Sequence, residues 1–358
     1  MKKKFEISNK IESIRRIPMR TRAFAGKTVV LSVAVMIIAL FFCGCSEPLV
    51  KSRAEKTAVG ELLPEAERII VEGLADDNPR VRSNAIEAAA DTNQVKMMPK
   101  VQQLLKDKFV PVRFAAALAA GDMEYALAKR SVKELLKDPD ENVRIAAGYA
   151  IGKLGERQGF ELIVNSIASK DMTVRANAVS LLGKSGTRGD KKALRPLDWA
   201  LRDKDSDDKV RYLATEATAM LGDEQVYPKL WAMLINLYAD VRVMGVRGMG
   251  SLGTVEARNA LITMLDDDIP EVRLAAAEQL GMHGDNTGES KVVEVFTKRL
   301  TTDLDQDERE RVYVLTALAI GQIRTKPVTK FLPQLLKDES KFVRIAAAKA
   351  VFQCVNRN

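Results

Sequence analysis

Residues 135–155 read LLKDPDENVRIAAGYAIGKLG, and residues 335–353 read LLKDESKFVRIAAAKAVFQ. One phrase used twice in a chain points to a building unit, and its Val-Arg step recurs. Anchor valines fall at Val81, Val112, Val143, Val174, Val210, Val241, Val272, Val312 and Val343, with gaps of 31, 31, 31, 36, 31, 31, 40 and 31 residues. A period that steady predicts a solenoid array and not a single globular core. Arginine follows the anchor in every copy except the one with Tyr313. Five positions before it stands Asp76, Asp107, Asp138, Asp205, Asp267, Asp307 or Asp338, replaced by Ser169 and Asn236 in the other two.

Within one copy Val143, Ala147, Ile151 and Leu154 are spaced to line one face of an α-helix. Four residues after each anchor the side chain is small, from Ala85 to Ala347, with Gly245 and Thr316 as the variants, so neighbouring helices can approach closely. Pro79 and Pro270 suit a first helical position. Asn78, Asp140, Asp171, Asp207 and Ser340 are placed to cap exposed N–H groups. Gly121, Gly152, Gly183, Gly250, Gly281 and Gly321, nine after their anchors, are expected to turn the chain at the far helix end. The preceding half of each unit, such as RQGFELIVNSIASKD at 157–171, reads as a first amphipathic helix. The expected fold is all-α: a superhelical α-solenoid of about nine two-helix units, an arc on the order of 90 Å at ~10 Å per layer.

The recurring Asp, Val-Arg, Ala and Leu-Gly pattern resembles HEAT repeats, in the short HEAT-like form named after phycobilisome lyases, over roughly residues 62–356. That resemblance implies a ladder in which Asp and Arg link successive units. It would comprise Asp76, Arg82, Asp107, Arg113, Asp138, Arg144, Arg175, Asp205, Arg211, Arg242, Asp267, Arg273, Asp338 and Arg344. At Tyr313 the ladder should be interrupted.

The formal charge of +8 is located in one place. Residues 1–44 carry nine Lys/Arg against two acids, so the remainder, with 47 basic and 46 acidic residues, is near neutral. The uncharged run TVVLSVAVMIIALFFCGC at 28–45 has the length and polarity of a signal core. It resembles a bacterial lipoprotein signal, matching at Phe42-Cys43-Gly44-Cys45. The resemblance implies cleavage before Cys45 and its acylation, with a signal peptide over 1–44, a lipidated tether over 45–60 and the repeats over 61–358. An uncleaved signal anchor is the alternative, and either places the repeats outside the cytoplasm. Ser46 after the cysteine implies the outer membrane where the source has two. Cys354 would then be the remaining thiol, which makes no intramolecular disulfide, and is expected to pack at the end of the array.

Catalytic patterns are sparse. The single histidine, His283, lies in the turn GMHGDNTG and cannot supply the His and Glu pairs of a helical-repeat hydroxylase or a Ser-His-Asp triad. AVSLLGKS at 178–185 ends like a phosphate loop but lacks its first glycine and reads as helix. DKDSDD at 203–208 and DLDQDERE at 303–310 alternate carboxylates, which makes Asp303, Asp305 and Asp307 candidate Ca²⁺ ligands. Both runs precede a helix and lack the glycine of a calcium loop, so dipole compensation is the preferred reading, and no cofactor is expected. The longer units of 36 and 40 residues should carry extended loops there.

Offsets three, six and ten after the anchor should be least buried, and Tyr149, Lys153, Lys184 and Arg247 among them are a candidate binding surface. The function these features imply is a membrane-anchored, non-catalytic scaffold that binds protein or peptide partners in the bacterial envelope. Two alternatives follow from the resemblance: a bilin lyase-like enzyme or subunit, and a nucleic-acid binder. The near-neutral repeat region argues against a phosphate-tracking surface, so no nucleic-acid partner is expected.

Overall fold

Every Val-Arg anchor lies near the start of a helix, and these nine helices pack side by side in chain order. The computed structural model describes residues 58–356. The apolar leader and Cys45 lie outside the described residues. Among the described residues every regular element is helical. The first helices of the units are α1 (Leu63–Gly73), α3 (Met98–Leu104), α5 (Lys129–Leu135), α7 (Gln158–Ser166), α9 (Lys191–Arg202), α11 (Tyr227–Leu234), α13 (Val255–Thr263), α15 (Glu289–Thr297) and the split pair α17 (Lys326–Thr329) and α18 (Leu332–Leu335). The second helices are α2 (Pro79–Asp91), α4 (Val110–Asp122), α6 (Glu141–Lys153), α8 (Met172–Ser185), α10 (Asp208–Met220), α12 (Ala239–Leu252), α14 (Pro270–Met282), α16 (Gln306–Ile323) and α19 (Lys341–Val355).

The caps act as the sequence predicts. Asn78, Asp140, Asp171, Asp207 and Ser340 each accept a backbone N–H of the helix they precede, which stabilises each helix by about 1 kcal/mol. The glycines nine after the anchors do something other than turn the chain. They lie inside the helix, and all but Gly152 stand at points of close approach: a Cβ on Gly121 would stand 2.8 Å from Ala150 Cα, and one on Gly183 would stand 2.8 Å from Ala217 Cα. The turn is made three residues later, at left-handed Gly155, Gly222, Gly253 and Gly284, and at Asn93, Glu124 and Arg324 in the remaining units of this type. In the 40-residue unit part of the extra length extends α16 to 18 residues, and only the rest lengthens the preceding loop.

Second helices pack extensively on one another, whereas first helices touch their own partners more than each other. Small residues on two faces allow both contacts: Gly121 and Gly183 bring α4 against α6 and α8 against α10, while four after the anchors Ala85 meets Gly73 and Gly245 meets Met233 and Leu234 of the unit's own first helix. Inner helices therefore approach more closely than outer ones, and each unit turns relative to the last.

The turn is large enough to close the array, which corrects the expected open arc. α19 packs against α1 and α2 as one unit packs on the next. Lys341 Nζ is 2.6 Å from Asp76 Oδ2, Lys349 Nζ pairs with Asp91 and lies 3.8 Å from Glu87, and Asn356 Nδ2 donates to the Thr92 carbonyl at 3.4 Å. The apolar core crosses this junction: one cluster runs from Ala219 to Phe352 and on from Ala66 to Ile151, and a smaller one spans Ile145 to Leu221. A closed ring of nine units turns about 40° per unit. The described residues form one compact unit, and their core lies between Ala66 and Phe352. Among the described residues no helix is long and apolar enough to cross a membrane.

Candidate functional site

The Asp-Arg pairs are built from two short-range facts and one long-range one. Arg82 Nη1 donates to the carbonyls of Asp76 and Asp77 in its own turn, while Nε and Nη2 hold Asp107 of the next unit, both at 2.9 Å. Asp107 Oδ1 also accepts Phe109 N–H, so one carboxylate fixes its own turn and receives the preceding unit. Arg113 with Asp138 and Arg242 with Asp267 repeat this geometry. Burial raises the Asp138 carboxyl, but the Arg113 guanidinium and the Asp140 N–H outweigh it and hold it below the ordinary range.

Elsewhere the ladder differs from the expectation. Arg175 pairs with Asp203 and not Asp205, because the five extra residues of that unit move the carboxylate along the loop. Arg144 and Arg211 find no carboxylate in the next unit, since Ser169 and Asn236 stand there; Arg144 binds its own turn, at Asp138 and Pro139, and Arg211 the Asp203 carbonyl. Arg273 and Arg344 likewise bind only the carbonyls of their own turns. In place of an Arg273 rung, Arg311 lies 3.6 Å from Glu271. At the interrupted position the Tyr313 hydroxyl meets Thr301 Oγ1 at 3.0 Å, and Asp338 caps its own turn at Ser340 N. Asp76, first in the chain, takes its cation from Lys341 of the last unit, so the ring supplies it a partner.

Of the candidate surface residues, Tyr149 is buried at 2% exposure and donates to Asp122, a correction that follows from the inward curvature. Lys184 reaches over the Tyr149 ring to Asp122 at 3.0 Å, two units away. Lys153 and Arg247 are exposed. Closure turns offset six toward the ring interior, where Glu216, Arg247, Glu278 and Lys349 influence one another. Burial pushes the Glu216 and Glu278 carboxyls above the ordinary range, against the pull of Arg247 on both. Burial also opposes protonation of Lys349, yet Asp91 and Glu87 raise it.

The acidic runs act as helix starts. Asp305 forms a capping box with Glu308 on α16, Asp307 lies in its first turn, Asp203 is held by Arg175 and Asp207 caps α10. Among the described residues no three His, Cys, Asp or Glu side chains converge to hold a metal ion, Asp303 included. His283 Nε2 donates to the Gly250 carbonyl at 2.7 Å, an acceptor-only group that fixes the tautomer. Cys354 packs partly buried with its sulfur 3.9 Å from the Ile320 carbonyl of the preceding unit, and burial pushes its thiol up to about 12.

One exposed patch was not singled out from sequence. After α11 the turn Ile235-Asn236-Leu237-Tyr238 exposes three large side chains, at 70%, 85% and 66%, with Trp231 at 41% one helical turn before Ile235. Tyr227 stacks on Trp231 at 6.4 Å. A partial signal was available: Tyr238 occupies the cap position that five other units give to Asn, Asp or Ser, and like Phe109 and Ile269 it has no capping side chain, but it is the more exposed. A turn that forgoes a cap and exposes apolar surface departs from the local rule, as functional sites do.

The family profile for HEAT repeats matches residues 67–152, 130–198, 161–242 and 236–316. Human deoxyhypusine hydroxylase in complex with glycerol is similar in structure at 16% identity, over 75% of this chain and 98% of that one, with a TM-score of 0.37. The complex of CpcE and CpcF of phycocyanin lyase from Nostoc sp. PCC7120 is similar at 17% identity, over 70% of this chain and 93% of that one, with a TM-score of 0.41. No curated protein matches it. Since the matched segments together span well over half of its length, the chain belongs to the HEAT-repeat family.

Proposed function

We propose that this chain is a membrane-tethered, non-catalytic scaffold of the bacterial cell envelope, anchored through lipid on Cys45, that docks a protein partner on the patch formed by Trp231, Ile235, Leu237 and Tyr238. The observation that carries the docking surface is the exposed Ile235-Asn236-Leu237-Tyr238 turn, where apolar side chains replace a capped polar turn. Tyr and Trp anchors such as Tyr238 and Trp231 are enriched at protein interfaces. The tether reading rests on the apolar run that ends at Gly44-Cys45, and more than one acyl chain is needed for stable anchoring.

Two experiments separate the parts. Envelope proteins crosslinked to residues 46–358 are compared with those captured by a Leu237→Ser, Tyr238→Ser double variant. The expected result is at least one partner lost from the variant alone, and identical lists would remove the patch from consideration. For the tether, labelled fatty acid should enter the wild-type chain, with globomycin blocking its processing, and should be absent from Cys45→Ala.

A further inference from the structure

Gly152 stands apart from the other glycines nine after the anchors because nothing crowds it: the nearest atom to a Cβ there would be Phe160 N, at 3.8 Å. α6 packs instead on α7 through Gly148 and Gly159, where a Cβ on Gly159 would stand 2.1 Å from the Gly148 carbonyl oxygen. α6 and α8 accordingly meet less extensively than the inner helices on either side of them. The apolar core divides on α6, with Ala147, Ala150 and Ile151 in the larger cluster and Ile145 and Tyr149 in the smaller. A slot of about 230 Å³ is left in this seam, walled by Gly148, Gly152 and Gly155 on one side and by Phe160 and Ile163 on the other. Arg157 and Phe160 also line a groove of about 800 Å³ between α7 and α9, so the two spaces adjoin.

Positive charge is in excess here. Lys153 and Arg157 at the slot, and Lys192 and Arg195 along the groove, are exposed and have no carboxylate within ion-pair distance among the described residues. Against them stand Glu161, Asp190, which accepts the Lys192 N–H at 2.9 Å, and Glu156, which Lys129 and Lys133 both hold. With those two lysines counted, six cations face three carboxylates. The groove also offers partners for a peptide backbone. The Asn165 amide makes no hydrogen bond among the described residues, and Pro196, which has no N–H, leaves the Lys192 carbonyl without its helical donor.

We infer that the slot and groove bind an acidic peptide segment of a protein partner, one apolar side chain entering the slot against Phe160 and Ile163 and its carboxylates meeting Arg157, Lys192 and Arg195. Cations spread over two helices call for several carboxylates on one chain, which a single-headed molecule lacks. Opposite charge speeds such an encounter and the apolar side chain fixes its register. The site uses no residue of the Leu237 patch and does not depend on the tether.

The test uses the full chain in a nonionic detergent and follows the anisotropy of a labelled acidic octapeptide with Leu-Phe at its centre. Its controls are the same peptide with Lys for every acid, one with Ser-Ser at the centre, and an oligothymidylate of equal charge. The Leu-Phe peptide should bind saturably, the Lys peptide should not, and the Ser-Ser peptide should bind about tenfold more weakly. Arg157→Gln with Arg195→Gln should weaken the Leu-Phe peptide about tenfold, with circular dichroism unchanged. Gly152→Leu, which fills the slot, should bring the Leu-Phe peptide down to the Ser-Ser level; if that variant fails to fold, the arginine variant and the Ser-Ser peptide still decide. Leu237→Ser with Tyr238→Ser should leave the affinity as it was, which separates this site from the patch. Equal binding of the Lys peptide, an unchanged affinity in the arginine variant, or oligothymidylate binding as tight as that of the Leu-Phe peptide would overturn the proposal.

Discussion

Arg113 and Arg144 stand one unit apart at the same position, and only the first has a carboxylate waiting in the next unit. Removing Arg113 leaves Asp138 buried without its cation, so Arg113→Ala should cost about 3 kcal/mol. Arg144→Ala should cost about 1 kcal/mol or less, since its guanidinium serves its own turn. Urea unfolding midpoints of the two variants measure the difference. Titration gives a second check. Glu216 and Glu278 hold protons more tightly folded than unfolded, so the stability they favour is complete below the ordinary carboxylate range and falls as pH rises through their raised values. Asp138 and Asp267 act in the opposite sense: what they contribute is present above the ordinary Asp value and lost as pH falls through their depressed ones. Glu278→Gln should therefore raise the thermal midpoint at about pH 7.5 and leave it unchanged at about pH 4, read by calorimetry. The ladder was legible only as a residue pattern. Which arginines find a partner depends on loop length, as Asp203 shows by taking the place of Asp205.

At the scale of the helix, glycine has two separate uses that lie three residues apart. Gly183 lets α8 meet α10, and Gly155 lets the chain leave α6 with φ of +92°. Gly183→Val would force a side chain into Ala217 and should cost about 3 kcal/mol, whereas Gly155→Ala meets open space and should cost about 1 kcal/mol of backbone strain. Comparing their midpoints under identical conditions decides whether contact or conformation matters more. The helices, their starts and their caps could be read from the chain because capping is local chemistry. The role of the glycines could not, because close approach is decided by a neighbouring helix 30 or so residues away. Tyr149 illustrates the same limit: its offset predicts exposure, and the curvature of the ring buries it.

For the whole molecule the decisive event is the meeting of α19 with α1 and α2. A period of 31 residues states how often a unit recurs and says nothing about the angle between units, so an arc and a ring read alike. Lys341→Glu with Lys349→Glu places like charges against Asp76, Glu87 and Asp91. The double variant should open the junction, raising the radius of gyration in small-angle scattering and speeding amide exchange in α1 and α19. Arg242→Ala, inside the array, should leave the radius unchanged although it lowers stability.

Closure also sets an arithmetic limit on the chain. An open solenoid can gain or lose a module by duplication and only become longer or shorter. Here the final helix must land on the first, so a tenth module or a missing one would misdirect it, uncovering the apolar sides of Ile69, Ile70 and Ile345 together. The count of nine is thus a property of the geometry, and growth of this architecture has to proceed by lengthening loops and helices within modules, as the 36- and 40-residue ones do.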